Sequence, residues 1–326
     1  MTANSNFIKK FLWAQSTGVL VMLIVLFILF GFYSEYRFFM PANLRSLLAF
    51  GAEFSLIFLA VGVLMIAGEF DLSIGSLLVF ASYIFIQLLQ VGINPFLVFL
   101  IILGICALMG LLNALITVKG QIPSFVATLG MMMFWRGFTL LLSGGATESI
   151  DLTGHPLFVS FMTGSIAGFF PVQFIWFGAV ALLLGVLLHW QRFGNWIFAT
   201  GDNRDAARAM GINTDYVKIM CFVMVGILCA CSAGMQLTRV STFSSRVGEG
   251  WELRAVAAAV VGGTSLRGGM GSMSGIFLGA MTIMTIDNGL VAMRIPHQWS
   301  FVVFGLVILF SVLASMYLEK KRLSHR

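Results

Sequence analysis

Ten stretches of this chain are each about as long as a lipid bilayer is thick and consist almost wholly of apolar side chains: 17–33, 47–67, 72–91, 95–118, 122–142, 172–190, 217–239, 251–265, 272–291 and 299–318. A bilayer core takes about 20 apolar residues per helix, and in hydrocarbon every backbone amide needs its partner within the chain. The pattern therefore predicts an all-α integral membrane protein of about 10 transmembrane helices, one domain over 1–326. The eighth run is short, and the third starts at a polar break. Only 10% of the residues are charged, where a soluble domain carries about 25%.

Charge sets the expected topology. "MTANSNFIKKFLWAQ" puts Lys9 and Lys10 ahead of the first run, with no small-residue cleavage site after them, so it reads as a retained first span. An even number of spans returns the C-terminal "LEKKRLSHR" (318–326) to the same side. Twelve of the 19 basic residues then fall inside, among them Lys119, Arg192, Lys218 and Arg267. Seven fall outside: Arg37, Arg45, Arg136, Arg239, Arg246, Arg254 and Arg294. This agrees with the positive-inside rule and places both termini in the cytoplasm. The net charge of +6 forms no stripe, which excludes a nucleic-acid partner. Cys106, Cys221, Cys229 and Cys231 sit in apolar runs without metal-ligand spacing and read as filler.

Two segments fall outside the apolar runs. The first, 143–171, mixes turn residues with short apolar pieces and is expected to form short helices on the outer mouth. Asp151 and His155 within it lack a third ligand or a nucleophile. His189, His297 and His325 stand alone, and no H-E-x-x-H or G-x-S-x-G context occurs. No catalytic residue, metal or cofactor is implied.

The second segment, 191–216, falls inside and contains "GDNRDAARAMGI" (201–212). Asp202 or Asn203 can cap a helix. Asp205 and Arg208 complement its dipole, and Gly211 supplies a left-handed terminus. The result is a helix of about two turns from Arg204 to Met210, too short to stand alone in water. Ala206, Ala207, Ala209 and Met210 are small or adaptable enough to sink into a groove, and Arg204 and Arg208 form a basic edge. Two roles fit: a cap over the protein's own inner face, or a docking helix for a cytoplasmic partner.

"AGEFDLSIGSL" (67–77) places Glu69 and Asp71 between the second and third runs, on the inner side. Acids at membrane depth are costly and sit at boundaries or cavities. Asp71 either caps the next helix through the amides of Ser73 and Ile74 or belongs to an inner gate. "VVGGTSLRGGMGS" (260–272) is glycine-rich but lacks a phosphate-binding lysine pattern, so it binds no ATP. Gly262 and Gly263 there permit a sharp turn and close helix packing. Gly75-Ser76 and Gly271-Ser272 each open a long apolar helix, which hints at an internal repeat. Glu53, Asn113, Gln121, Thr128, Asp287 and Asn288 are polar residues within or beside spans and are candidates for a solute path; for Asp287 and Asn288 an interfacial cap is the alternative.

These motifs, with "NALITVKGQIPSFVATLGMMMFWRG" (113–137), resemble in order and spacing the bacterial ATP-binding-cassette importer permeases of the ribose/galactose/xylose/autoinducer-2 type. The resemblance covers nearly the whole chain. Asp202 and Glu69 depart from it, since many members carry glycine at both places. It implies a type II importer-like bundle in the bacterial inner membrane that dimerises with a second permease subunit, docks a cytoplasmic ATPase beneath it and receives a sugar from a periplasmic binding protein. Carried over by position, Gly201, Asp202, Asn203, Arg204, Asp205, Ala206, Ala207, Arg208 and Gly211 make up the ATPase-coupling segment. Glu69, Asp71, Ser73, Asn113, Gln121, Gly262, Gly263, Asp287 and Asn288 are candidates for the path or its gate. Two rival readings remain: an ion-coupled secondary transporter using Glu53, Glu69 and Asp287, and a branched-chain amino acid permease of the same superfamily.

Overall fold

A computed structural model describes residues 15–296 and 298–323. Lys9, Lys10, His297, His325 and Arg326 lie outside the described residues, and so do the expectations placed on them. The helices in chain order are α1 (Gln15–Tyr33), α2 (Pro41–Ile66), α3 (Ile74–Gln90), α4 (Pro95–Val118), α5 (Ser124–Ser143), α6 (Pro156–Thr163), α7 (Val172–Trp190), α8 (Arg192–Asp202), α9 (Arg204–Ala209), α10 (Thr214–Val240), α11 (Trp251–Val261), α12 (Met273–Ala292) and α13 (Gln298–Leu323). Each of the ten apolar runs is thus helical. Among the described residues six helices (α2, α4, α5, α7, α10 and α12) are long and apolar enough to cross a membrane.

Helix starts follow local chemistry. Pro41, Pro95 and Pro156 occupy first turns, where the missing N–H has no partner to lose. Asn94, Asn213 and Ser272 cap α4, α10 and α12 by accepting amides of Phe96, Tyr216 and Gly275 at 2.9, 3.0 and 3.1 Å. The centre of the bundle is α2 against α10, with α2 buried continuously from Gly51 to Ile66. Small residues set the α4–α10 crossing: a methyl on Gly110 or Gly226 would overlap the carbonyl of Phe222 or Cys106 on the facing helix. Cys106, Cys221 and Cys229 are free thiols buried in this region.

Two helices do not traverse the bundle. The Cys229 thiol lies 3.7 Å from the Ile74 carbonyl, and Cys229 stands fifteen residues into α10, about 22 Å along it. So α3 begins half way through, after residues 67–73 climb to it from the end of α2. The expected span 251–265 is likewise shortened: α11 has 11 residues, about 16 Å, against a bilayer core of about 30 Å. The chain continues from α11 through a turn to Gly268 and Gly269, which meet the end of α2 at Ile66 and Gly68. Most of α11 is buried, and irregular backbone at membrane depth is tolerated where protein surrounds it. The loop before α11 descends until the backbone of Gly248 meets that of Gly75, where a side chain on either residue would collide with the other chain segment.

The segment 143–171 holds one helix, α6, rather than several, and two minimal antiparallel pairs are the described strand structure in an otherwise helical fold. Glu148–Ser149 pairs with Thr242–Phe243, and Ser165–Ile166 pairs with Phe170–Pro171. Phe158 and Met162 seat α6 against the core. Asp151 is a loop residue whose carboxylate accepts the Thr153 amide at 2.9 Å, which holds its pKa below the ordinary value.

Candidate functional site

The polar insert forms a two-helix knob. Asn203, and not Asp202, caps α9: its side-chain oxygen accepts the amides of Asp205 and Ala206 at 3.1 and 3.0 Å. The helix ends one residue earlier than expected, at Ala209. Gly211 N–H bonds the Arg208 carbonyl at 2.9 Å and Ile212 N–H the Ala207 carbonyl at 3.0 Å, a paired terminus that needs the φ of +84° at Gly211. Arg204 and Arg208 turn back onto α10. Both bond the Asp215 carboxylate, at 2.9 and 2.6 Å, and Arg208 Nε donates to Thr214 Oγ1 at 2.9 Å. The basic edge is therefore engaged within the chain. Ala207 is also buried against its own fold, which leaves Asp205, Ala206, Ala209 and Met210 facing outward; Met210 is 81% exposed.

The knob is fixed to the bundle by backbone. A methyl on Gly201 would overlap the Ile66 carbonyl oxygen and lie 2.6 Å from the Gly269 nitrogen. Gly269 N–H in turn donates to Ile66 O at 2.8 Å. On Gly268 a methyl would sit 2.8 Å from both Gly68 Cα and Gly201 O. Thus the three motif stretches 67–77, 201–212 and 260–272, far apart in sequence, meet at one junction through their glycines.

Above the junction lie the buried acids. Glu69 pairs with Lys218 of α10, and both side chains are buried. Asp71 accepts from Ser73 N–H (2.8 Å), Ser73 Oγ (2.6 Å) and Asn113 Nδ2 (3.1 Å), and Asn113 Nδ2 also donates to Ser73 Oγ at 2.8 Å. Of the two amides expected to bond Asp71, only that of Ser73 does. Two hydroxyls from α5 hold the same loop: Ser124 Oγ accepts Phe70 N–H and Thr128 Oγ1 accepts Leu72 N–H, both at 3.0 Å. Gln121, in the α4–α5 turn with φ +56°, shares a cavity of about 480 Å³ with Glu69, Arg204, Arg208 and Asp215.

A second, larger cavity of about 720 Å³ occupies the opposite half of the bundle. Its walls combine the rings of Phe50, Phe54 and Trp251 with Arg239, Arg254 and Asp287. Asp287 Oδ2 accepts from Arg254 Nη1 at 2.6 Å, while Asn288 and Asn43 exchange amide hydrogen bonds at 2.8 and 3.2 Å. Asp287 and Asn288 are therefore cavity residues, not caps at a helix end.

The predicted site residues thus divide between two ends. Glu69, Gln121 and the 201–211 segment gather at the junction end, with Asp71, Ser73 and Asn113 just above it. Asp287 and Asn288 belong to the larger cavity. Gly262 and Gly263 lie in neither cavity wall. Gly263 (φ +86°) ends α11, and a side chain on Gly262 would collide with the Gly275 carbonyl of α12. Sequence reasoning missed the partners Lys218, Asp215 and Arg254. For Lys218 and Arg254 the signal was a basic residue within an apolar run, whereas Asp215 lies in the polar segment 191–216 and gave no such signal. Among the described residues no group of acids, histidines and cysteines is placed to hold a metal.

Residues 43–312 match the family described as branched-chain amino acid transport system / permease component. The chain is 31% identical over 302 residues to the ribose import permease of Escherichia coli (strain K12), covering 92% of this chain and 94% of the relative. It is 32% identical over 299 residues to the xylose/arabinose import permease of Sulfolobus acidocaldarius, covering 89% and 82%. With the autoinducer 2 import system permease of Yersinia enterocolitica it shares 33% over 303 residues, covering 90% and 80%. No solved structure matches the chain.

Proposed function

The chain belongs to the branched-chain amino acid transport system / permease component family, and on that premise we propose that it is the membrane-spanning subunit of an ATP-binding-cassette importer for a sugar or sugar-like solute. It is a multi-pass permease. In this reading it crosses the bacterial inner membrane ten times in a type II importer-like bundle, with the knob and both termini in the cytoplasm. The opposed partial helices α3 and α11 are the kind of pair an internal repeat produces. A periplasmic binding protein delivers solute to the larger cavity, a second permease subunit completes the path, and a separate ATPase docks on the outward face of α9.

The observation that carries this reading is the glycine junction. A short capped helix with an exposed tip follows directly on Gly201 of α8, which is joined backbone-to-backbone to the turns that lead into α3 and out of α11, so a push on α9 reaches both partial helices without passing through a flexible side chain. A secondary transporter has no use for such a knob. The solute class rests on the relatives, which are named for ribose, xylose/arabinose and autoinducer 2 import. It agrees with a cavity that mixes aromatic faces with fixed polar groups.

The test is uptake of labelled D-ribose, D-xylose and L-leucine by cells expressing the chain with its ATPase and binding protein. Pentose uptake that stops on ATP depletion and survives collapse of ion gradients is expected. Uptake that follows the ion gradient, or that carries only leucine, refutes the proposal. Met210→Glu places a charge on the exposed tip and is expected to cut uptake at least about tenfold with normal membrane abundance. Undiminished uptake removes the docking assignment.

A further inference from the structure

Arg239 is bound in an unusual way for a buried-acid partner. Its Nε alone donates to Glu53, to Oε1 at 2.8 Å and Oε2 at 3.0 Å. Glu53 is completely buried in the middle of α2, where Gln173 Nε2 lies 3.4 Å from Oε1 and Ser232 Oγ donates to the Glu53 backbone carbonyl at 2.6 Å. The guanidinium lies over the Phe50 ring, 5.0 Å from its centroid. Among the described residues no hydrogen bond is made by either terminal nitrogen of Arg239. Its side chain remains 30% exposed and lines the 720 Å³ cavity, together with a neighbouring cavity of about 280 Å³.

Consider what this arrangement does. A guanidinium usually meets a carboxylate with two nitrogens at once. Here the carboxylate takes the inner edge through Nε, neutralising the charge and fixing the plane, and both Nη groups stay free at the wall shared by the two cavities. Phe50 holds the plane from one face. The result is a rigid pair of parallel donors without a net charge, spaced to meet two adjacent oxygens. A neutral vicinal diol satisfies that pair; an anion gains nothing extra, because Glu53 already balances the charge. The rings of Phe54 and Trp251 in the same cavity offer apolar faces to the C–H side of such a molecule.

We propose that Arg239, oriented by Glu53, is the solute-reading residue of the large cavity and selects neutral solutes bearing two adjacent hydroxyl groups. This rests on the importer reading above and deepens it, since it names the chemical feature that the permease, as distinct from its binding protein, recognises.

The experiment compares uptake of D-ribose and 2,3-dideoxy-D-ribose, whose ring forms carry no two adjacent hydroxyls, by the complete transporter carrying wild-type chain, Arg239→Lys or Arg239→Gln. Lysine keeps the charge opposite Glu53 but loses the planar donor pair. Both variants are expected to lower the maximal rate of ribose uptake about tenfold or more and to leave the half-saturating concentration, which the binding protein sets, unchanged. The ratio of ribose to dideoxyribose uptake is expected to fall below that of the wild type, which alone reads the missing diol. Any discrimination by the binding protein is common to all three and cancels. Equal abundance in membranes and equal basal ATP hydrolysis check that the variants assemble. Should Arg239→Lys keep both the wild-type rate and the wild-type ratio, Arg239 only neutralises Glu53 and the inference fails while the importer reading stands. A wild-type complex that imports leucine and neither pentose overturns both.

Discussion

Gly201→Ala is the smallest change that tests the junction, since it adds one methyl where three backbone segments touch. The added carbon would overlap the Ile66 carbonyl oxygen and approach Gly269 N to 2.6 Å. Neither neighbour is a side chain that can rotate away, so the segments have to separate. Overpacking of this kind costs about 1–3 kcal/mol. Separation also breaks the 2.8 Å bond from Gly269 N–H to Ile66 O, and a buried amide left unpaired costs about 1–3 kcal/mol. The two together, about 2–6 kcal/mol, are a large part of a typical folding stability of about 5–15 kcal/mol. The protein is expected to insert and fold, yet to melt at least about 5 °C lower in detergent and to lose most of its ATP-driven uptake. Gly92→Ala, in the turn between α3 and α4, is the control. That position has φ +87° and nothing within 4 Å of the added carbon, so it carries only the left-handed backbone cost of about 1–2 kcal/mol, and uptake is expected to persist. The measurements are a thermal melt of the purified chain and uptake per unit of chain in the membrane. A Gly201→Ala chain with wild-type melting and uptake refutes the claim that the junction is tightly packed and transmits motion.

Glu69→Gln or Lys218→Met alone leaves one buried charge without its partner, a loss of about 3–5 kcal/mol, whereas the double variant is expected to recover most of it; a thermal melt of all four chains closes the cycle, and additive losses contradict the pair. Asn203→Ala removes the α9 cap at a cost of about 1 kcal/mol. Faster proteolysis at 203–211 in inside-out vesicles is the expected signature, and unchanged cleavage argues against the cap.

Much of this was legible in the sequence because the membrane makes it so. Ten apolar runs became ten helices, since a run of that length has no other way to satisfy its backbone in lipid. The α9 half of the knob was legible from its capping residues, with Asp202 or Asn203 expected at one end and Gly211 at the other, whereas α8 was not expected. The height at which each helix starts was not. The apolar run 72–91 looks like any other span, but α3 begins beside Cys229 at mid-depth, and hydropathy carries no information on depth when the irregular part is wrapped in protein. The orientation of α9 was legible only in part. An Ala-rich turn has two similar faces, and which of them turns inward depends on Asp215, eight residues beyond Ala207, reaching back to both arginines. The same limit hid the Arg239–Glu53 and Arg254–Asp287 pairs: a charge within an apolar run signals a partner without naming it.

The depth of α3 bears on how the two ends communicate. Its first turn touches Gly248 at mid-membrane, and three residues later in the chain Trp251 is already a wall of the large cavity. At the other end of the climbing segment 67–73, Gly68 is held against the knob through Gly268. A displacement of α9 therefore meets packed backbone at each contact from Gly201 to Gly68, along 69–73, and from Gly75 to Gly248. The side chains beside that route are pinned as well, through Asp71 to Asn113 and through Glu69 to Lys218. Close-packed interiors transmit strain where loosely packed ones absorb it. Glycine serves both contacts for the same reason: with no side chain between them, the segments share a surface and neither can slide without moving the other.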